Sequence, residues 1–81
     1  MEPYTAAFPR GSRVRVVDRS TLEAFLREWK LHHKLTPAQL GYADTVATVT
    51  DVSYYHGGDV LYGLAGVPGI WHEECLRAAG V

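Results

Sequence analysis

The sequence predicts a mainly β fold, a small and partly open barrel of about five strands with a helical insert between strands 1 and 2. Short segments rich in Val, Thr and Tyr alternate with glycine and proline turns, a composition that favours strands. Residues 20–40 carry helix signals instead. The 81-residue chain has room for one domain, which we place at 11–81 after an N-terminal tail at 1–10.

The first strand is predicted at residues 13–17, which read Arg-Val-Arg-Val-Val. Successive side chains of a strand point to opposite faces of the sheet. Val14 and Val16 therefore share a buried face, while Arg13 and Arg15 point to solvent. This half-buried strand opens the predicted barrel.

The helical insert has start signals at two places. Ser20 and Glu23 have the spacing of a capping box, so we expect a helix to begin at Ser20. Thr36 followed by Pro37 predicts a second, single turn of helix. Between the two signals, four apolar residues recur at helical spacing and form one stripe, which covers one end of the barrel or meets another chain: Leu22, Phe25, Leu26 and Trp29.

The rest of the chain predicts four further strands. The longest covers 44–55, and Gly57-Gly58-Asp59 turns the chain into a returning strand at 60–64. Glycine and proline then predict a turn, because both residue types favour turn conformations. The segments that follow are a turn at 66–69, a short strand at 70–71, a helical turn at 73–76 and a last strand within 77–81.

Composition excludes several classes of function. Eight basic and nine acidic residues give a net charge of -1, so no overall positive field attracts nucleic acid or anionic lipid. The single cysteine excludes an internal disulfide and a cysteine-rich zinc site, and it favours a reducing compartment. No signal peptide or apolar run of about 20 residues is present. We therefore expect a cytoplasmic protein that binds neither nucleic acid nor a membrane.

The order of the predicted elements resembles that of SH3-like barrels. Within that group, Gly-Ser-Arg-Val-Arg-Val at 11–16 resembles the opening of the C-terminal domain of nitrile hydratase β subunits. Small SH3-like accessory subunits of photosystem I and of ferredoxin-thioredoxin reductase are similar in plan. The resemblance to the nitrile hydratase domain continues loosely through His33, Leu35, Pro37, Gly41, Val49, Leu61, Tyr62 and Trp71.

The resemblance implies an accessory role. In nitrile hydratases the metal and its thiolate ligands belong to the α subunit, so a domain of this kind would support an enzyme without catalysing a reaction. The resemblance therefore implies no catalytic residue and no cofactor in this chain. It also implies a larger protein as the partner, whereas the oligomeric state is left open.

Aromatic and polar residues crowd the predicted hairpin turn and predict a surface that binds a protein partner. Glycines in such a turn allow another backbone to approach closely, and SH3-like barrels bind peptides in aromatic grooves. The alternative is that alternate aromatic side chains fill the barrel core. The residues of this predicted surface are Tyr54, Tyr55, His56, Asp59, Tyr62, Trp71 and His72.

A small metal site or a Cys/His site is the first alternative function. Candidate ligands are His56, Asp59, His72 and Cys75, and Cys75 with either histidine would form a nucleophile and base. The chain lacks the paired Cys or His spacings of structural zinc sites, so Cys75 is interpreted as a core residue.

Two other features have structural interpretations beside functional ones. His32 and His33 end the helix predicted at 20–32, where a cation is favoured, and adjacent helical residues make a poor chelate. The second alternative function is a weak RNA contact, which would use Arg13 and Arg15 with Arg10 and Arg19 nearby. Because no aromatic residue is interleaved with them, we favour a charged sheet edge that prevents strand association.

Overall fold

Five antiparallel strands form one open sheet in the part of the chain that the computed structural model describes, residues 6–55 and 59–79. The strands are β1 (Arg13–Val16), β2 (Val46–Tyr54), β3 (Val60–Leu64), β4 (Val67–His72) and β5 (Leu76–Ala78). Three helical elements complete the described chain: α1 (Arg19–Glu28) and a first 3-10 helix (Pro37–Tyr42) between β1 and β2, and a second 3-10 helix (Glu73–Cys75) before β5. The predicted mainly β fold, with five strands and a helical insert after the first, is confirmed.

The strand order β4-β3-β2-β1-β5 places β1 inside the sheet. Strand β2 pairs with β1 through its first half and with β3 through its second, with a register shift between Val49 and Asp51. Such a shift bends a strand, so β2 joins two differently oriented parts of the sheet. Because β1 is paired on both sides, the interpretation of Arg13 and Arg15 as protection of a sheet edge is wrong.

Strand β4 begins at Val67, before the predicted start of a strand at Ile70. The β3–β4 turn is shorter than predicted because Ala65 and Gly66 complete it, with Gly66 at φ +72°. Pro68, which was expected in the turn, lies in the strand. A proline lacks an N–H to donate to a neighbouring strand, and β4 tolerates it because β4 is an edge strand.

Helix α1 begins earlier and ends earlier than the sequence signals predict. Asp18 is the N-cap, with extended backbone and a carboxylate that accepts from the Thr21 N–H at 3.0 Å. Hydrogen bonds from the Thr21 side chain and then from the Thr21 N–H lower the pKa of Asp18. Ser20 lies inside the helix and therefore cannot be its cap. The helix stops before Trp29, whose backbone is extended, so the predicted continuation to His32 is wrong.

The hydrophobic core lies between the sheet and α1. Val14 and Val16 are fully buried, which confirms the predicted alternation of β1. On α1, Leu22 is fully buried, and Phe25 and Leu26 pack against the core, so the predicted apolar stripe is confirmed for these three residues. Trp29, its fourth member, lies just after the helix. Among the described residues, no helix is both long and apolar enough to cross a membrane. The largest fully buried side chains are Trp71, Tyr62, Leu22, Leu76, His72, Val14, Val16, Val49 and Cys75.

Candidate functional site

The second half of the insert folds back across the molecule after α1. The Trp29 indole Nε1–H donates to the carbonyl of His32 at 2.6 Å, which closes a turn directly after the helix. His33 then takes a left-handed backbone, with φ +49°, a conformation that histidine adopts more readily than most residues. The two histidines therefore do not cap α1, and the expectation drawn from the longer helix is wrong.

His32 joins the insert to the β2–β3 connection. Its Nε2 lies 2.7 Å from Asp59 Oδ2, and its Nδ1 lies 3.0 Å from His33 Nδ1. The Tyr55 ring stacks on the His32 ring, with centroids 3.7 Å apart and planes 17° from parallel. In a neutral His32 that donates from Nε2 to Asp59, Nδ1 is an acceptor that His33 can satisfy. Because both residues lie outside the helix, the rings of His32 and His33 can meet edge to face, with centroids 5.2 Å apart and planes 82° apart.

His72 is a buried polar group that holds the insert against β4. Its side chain is only 1% exposed, and its Nε2 lies 2.8 Å from the His33 carbonyl oxygen. A carbonyl only accepts, so His72 must carry a proton on Nε2. Burial lowers the pKa of His72, which outweighs the opposite effect of this hydrogen bond. The ring centroids of Phe25 and Trp29 both lie 4.9 Å from that of His72.

Gln39 is the second buried polar group that holds the insert. Its side chain is 4% exposed. The Thr36 N–H donates to Gln39 Oε1 at 2.8 Å, and Gln39 Nε2 donates to the Ile70 carbonyl at 3.1 Å. The amide passes so close to Gly69 that a Cβ there would lie 2.7 Å from Nε2. Gln39 thus satisfies an outward carbonyl of edge strand β4, a position where another strand could otherwise pair.

A groove of about 250 Å³ lies between the first 3-10 helix and β4. We call it the insert groove. Most of its wall is apolar, and Ile70 remains 47% exposed at its side. His72 and Gln39 hold the two walls together, so the groove exists before any partner arrives. Its lining residues are His33, Lys34, Thr36, Ala38, Gln39, Tyr42, Pro68, Gly69 and Ile70.

The structure divides the predicted binding surface. Tyr54 and Tyr55 are exposed and Asp59 is half-buried, beside the histidines of the insert. His56 lies outside the described residues. The other three side chains lie in the core, which is the alternative that the sequence left open for the aromatic residues: Tyr62, Trp71 and His72, each at most 1% exposed.

Tyr62 connects two segments of the domain through a partly buried hydrogen bond, and its side chain is not exposed in a groove. Its hydroxyl donates to Glu73 Oε2 at 2.6 Å, and burial followed by this hydrogen bond raises the pKa of Tyr62. The Phe8 ring packs on the Tyr62 ring, with centroids 5.6 Å apart, so residues 6–10 lie against the body of the domain. Trp71 is fully buried, and its Nε1–H has no hydrogen-bond partner among the described atoms.

The three described candidates for a metal or Cys/His site, Asp59, His72 and Cys75, do not gather into one site, and His56 lies outside the described residues. Burial, reinforced by the Glu74 carboxylate, raises the pKa of the Cys75 thiol to about 12. A thiolate is the reactive form, so Cys75 is a poor nucleophile and ligand here. Asp59 pairs with His32 and His72 bonds to a backbone carbonyl. Within 6–55 and 59–79, no three His, Cys, Asp or Glu side chains could share a metal ion.

Sequence reasoning missed the insert groove. Thr36 and Gln39 have capping-box spacing, a signal that could have identified the Gln39 amide as a structural group. No local signal indicates that Gln39 also reaches β4, because Ile70 is distant in the sequence. No family model, curated protein or solved structure matches the chain. The functional argument therefore depends on the geometry of the site.

Proposed function

We propose that this domain is a non-catalytic protein-interaction module that docks on a larger protein through the insert groove. The observation that carries the proposal is an apolar groove whose walls are already joined by buried hydrogen bonds. A preformed site has less conformational entropy to lose on binding, which favours affinity for a small contact area. The predicted accessory role and cytoplasmic location belong to the same proposal.

The occupant of the groove is proposed to be an extended apolar segment of the partner. Ala38, Pro68 and Ile70 offer apolar contacts, and Lys34 places a cation at the rim. Strand addition to β4 does not suit this position, because the Ile70 carbonyl already accepts from Gln39. Side chains of the partner, more than its backbone, would therefore supply the affinity.

The SH3-like relationship is proposed on two features. The end strands of the order β4-β3-β2-β1-β5 leave the barrel partly open, and a 3-10 helix connects β4 to β5. Both features fit the resemblance stated from the sequence. If the relationship holds, the long insert between β1 and β2 is the part that distinguishes this domain, and it supplies one wall of the groove.

A library of random peptides displayed on phage tests the proposal without a known partner. Peptides enriched on the wild-type domain are titrated against Ile70→Glu and Ala38→Glu, which place a carboxylate in the groove. The matched control is Leu31→Glu, which adds the same charge at a position that is 66% exposed and outside the groove lining. We expect at least a roughly tenfold loss of affinity, about 1.4 kcal/mol, in the groove variants only.

The same three variants serve in an affinity-capture experiment, in which the tagged domain retains binding proteins from an extract of the source cells. A protein retained at near-equal stoichiometry by wild type and Leu31→Glu, but lost with Ile70→Glu and resistant to nuclease, supports docking through the groove. Absence of enriched peptides and of a retained protein contradicts the proposal. Retention that disappears on nuclease treatment, or that Ile70→Glu leaves unchanged, also contradicts it.

A further inference from the structure

Three arginines share the solvent-facing side of the sheet. Arg13 and Arg15 are exposed on β1, and Arg77 is exposed on β5. Arg15 and Arg77 are direct cross-strand partners, so their side chains leave the sheet on the same side. Arg13 lies two positions along the same strand and therefore on the same face. We call Arg13, Arg15 and Arg77 the arginine face.

This arrangement is electrostatically unfavourable in the isolated domain. Like charges directly opposite each other on neighbouring strands destabilise a sheet. Among the described residues, the two close contacts between a basic side chain and a carboxylate lie elsewhere, Arg19 with Glu23 and His32 with Asp59. No carboxylate within the described chain therefore forms an ion pair with an arginine of this face.

The arginines have weak structural roles of their own. Arg15 Nη1 donates to the Asp44 carbonyl at 3.2 Å, and Arg77 Nη1 donates to the Leu76 carbonyl at 3.0 Å. The Asp18 carboxylate interacts electrostatically with Arg77, but it accepts a hydrogen bond from the Thr21 N–H as the N-cap of α1. Backbone carbonyls are neutral acceptors, so these hydrogen bonds do not neutralise the guanidinium charges of the face.

Edge protection does not explain the charge either. Arginines on an edge strand discourage association with another sheet, but β1 lies between β2 and β5. The chain has a net charge of -1, so the arginine face is a local positive patch on a protein with no overall positive charge. A local patch of one sign is expected to select a local patch of the other sign.

We propose that the arginine face binds an extended acidic segment of a protein. A guanidinium donates two parallel hydrogen bonds to a carboxylate. Alternate residues of a strand lie about 6.6–6.8 Å apart, and an extended segment with Asp or Glu at alternate positions has the same repeat. The arginine face shares no residue with the insert groove, so this proposal stands independently of the groove.

A protein segment fits the face better than nucleic acid does. Proteins that bind single strands combine cations with aromatic side chains for base stacking. The β2 partners of Arg13 and Arg15 on this face are Thr48 and Val46, and neither is aromatic. Three cations would release few counterions from a nucleic acid, giving a salt slope of only about -2 to -3. The negative charge elsewhere on the chain further opposes a long polyanion.

Fluorescence anisotropy with a labelled peptide of alternating Glu and Thr, about eight residues long, tests the proposal. The same peptide with Lys for Glu and a single-stranded oligouridylate of about eight nucleotides serve as comparison probes. We expect the acidic peptide to bind the full chain, with affinity falling as salt rises from about 50 to 200 mM. Arg15→Gln, Arg77→Gln and Arg13→Gln should each weaken that binding about fivefold or more.

The matched control is Arg27→Gln, which removes an exposed arginine of α1 outside the face. It should leave the affinity for the acidic peptide within about twofold of wild type, because Arg27 lies on the helix and not on the face. No binding of the acidic peptide, or an equal loss in Arg27→Gln, overturns the proposal. Tighter binding of the oligouridylate than of the acidic peptide also overturns it, in favour of a nucleic-acid surface. Titration of groove-selected peptides against Arg15→Gln keeps this result separate from the outcome for the groove.

Discussion

The insert groove and the arginine face differ in what builds them. The groove depends on two buried polar side chains, His72 and Gln39, that connect the insert to β4. The arginine face depends only on strand alternation and on β5 pairing beside β1. A buried polar group left without its partner costs about 1–3 kcal/mol, whereas most exposed substitutions change stability by less than about 0.5 kcal/mol.

This difference separates stability from binding at the two surfaces. Changes to the residues that hold the groove should reduce the free energy of unfolding and binding together. Changes to the arginine face should alter binding while leaving the fold intact. Three substitutions test the comparison, in order of the effect expected on stability.

Gly69→Ala should have the largest effect. Gly69 has φ +102°, and a Cβ there would lie 2.7 Å from Gln39 Nε2. Backbone strain and displacement of the Gln39 amide together predict a loss of about 3 kcal/mol in the free energy of unfolding, measured by urea denaturation. Gly66→Ala is the matched control, because Gly66 also has a positive φ, +72°, and its Cβ would meet nothing within 4 Å. Equal losses in both variants would contradict the role of Gln39 in holding the groove.

His72→Phe should change how stability depends on pH. Burial lowers the pKa of His72 in the folded state below the usual 6.5. Below about pH 6.5 the unfolded chain therefore binds more protons at this position, and stability falls as the pH falls. The contribution of neutral His72 to the free energy of unfolding is fully present above that pH. A single titrating group changes the free energy of unfolding by at most about 1.4 kcal/mol per pH unit.

Urea denaturation of wild type and His72→Phe between about pH 7.5 and 5 measures this slope. The wild type should lose stability more steeply, because Phe does not titrate. His32, Asp59 and Glu74 also act on the charge of His72, and they are unchanged in the variant. Parallel curves for the two proteins would contradict a buried neutral His72.

Arg15→Thr should have the smallest effect on stability. Removing the positive charge opposite Arg77 should stabilise the sheet by about 0.2–1 kcal/mol. The substitution also loses one exposed hydrogen bond, from Arg15 to the Asp44 carbonyl. We expect the melting temperature to stay the same or rise slightly while affinity for the acidic peptide falls. Arg13→Thr is the control, because Arg13 faces Thr48 and no like charge. A lower melting temperature for Arg15→Thr than for Arg13→Thr would show that Arg15 is chiefly structural.

Local patterns predicted the elements well where one periodicity dominates. Val14 and Val16 alternate with arginines, and Leu22 begins a stripe at helical spacing, so both buried faces follow from the sequence. Boundaries were less predictable where two residues could serve the same role. Asp18 and Ser20 can each cap a helix, and the extended backbone of Asp18 decided between them.

The sequence by itself determined the mainly β class, the helical insert and the exposed arginines of β1, because each depends on neighbours within a few residues. Only the tertiary structure decided that Tyr62 and His72 are buried, since burial depends on strands that pair across the fold. The insert groove belongs to the same category. It forms when Gln39 reaches a carbonyl of β4, and a contact between distant segments leaves no periodic signal in the sequence.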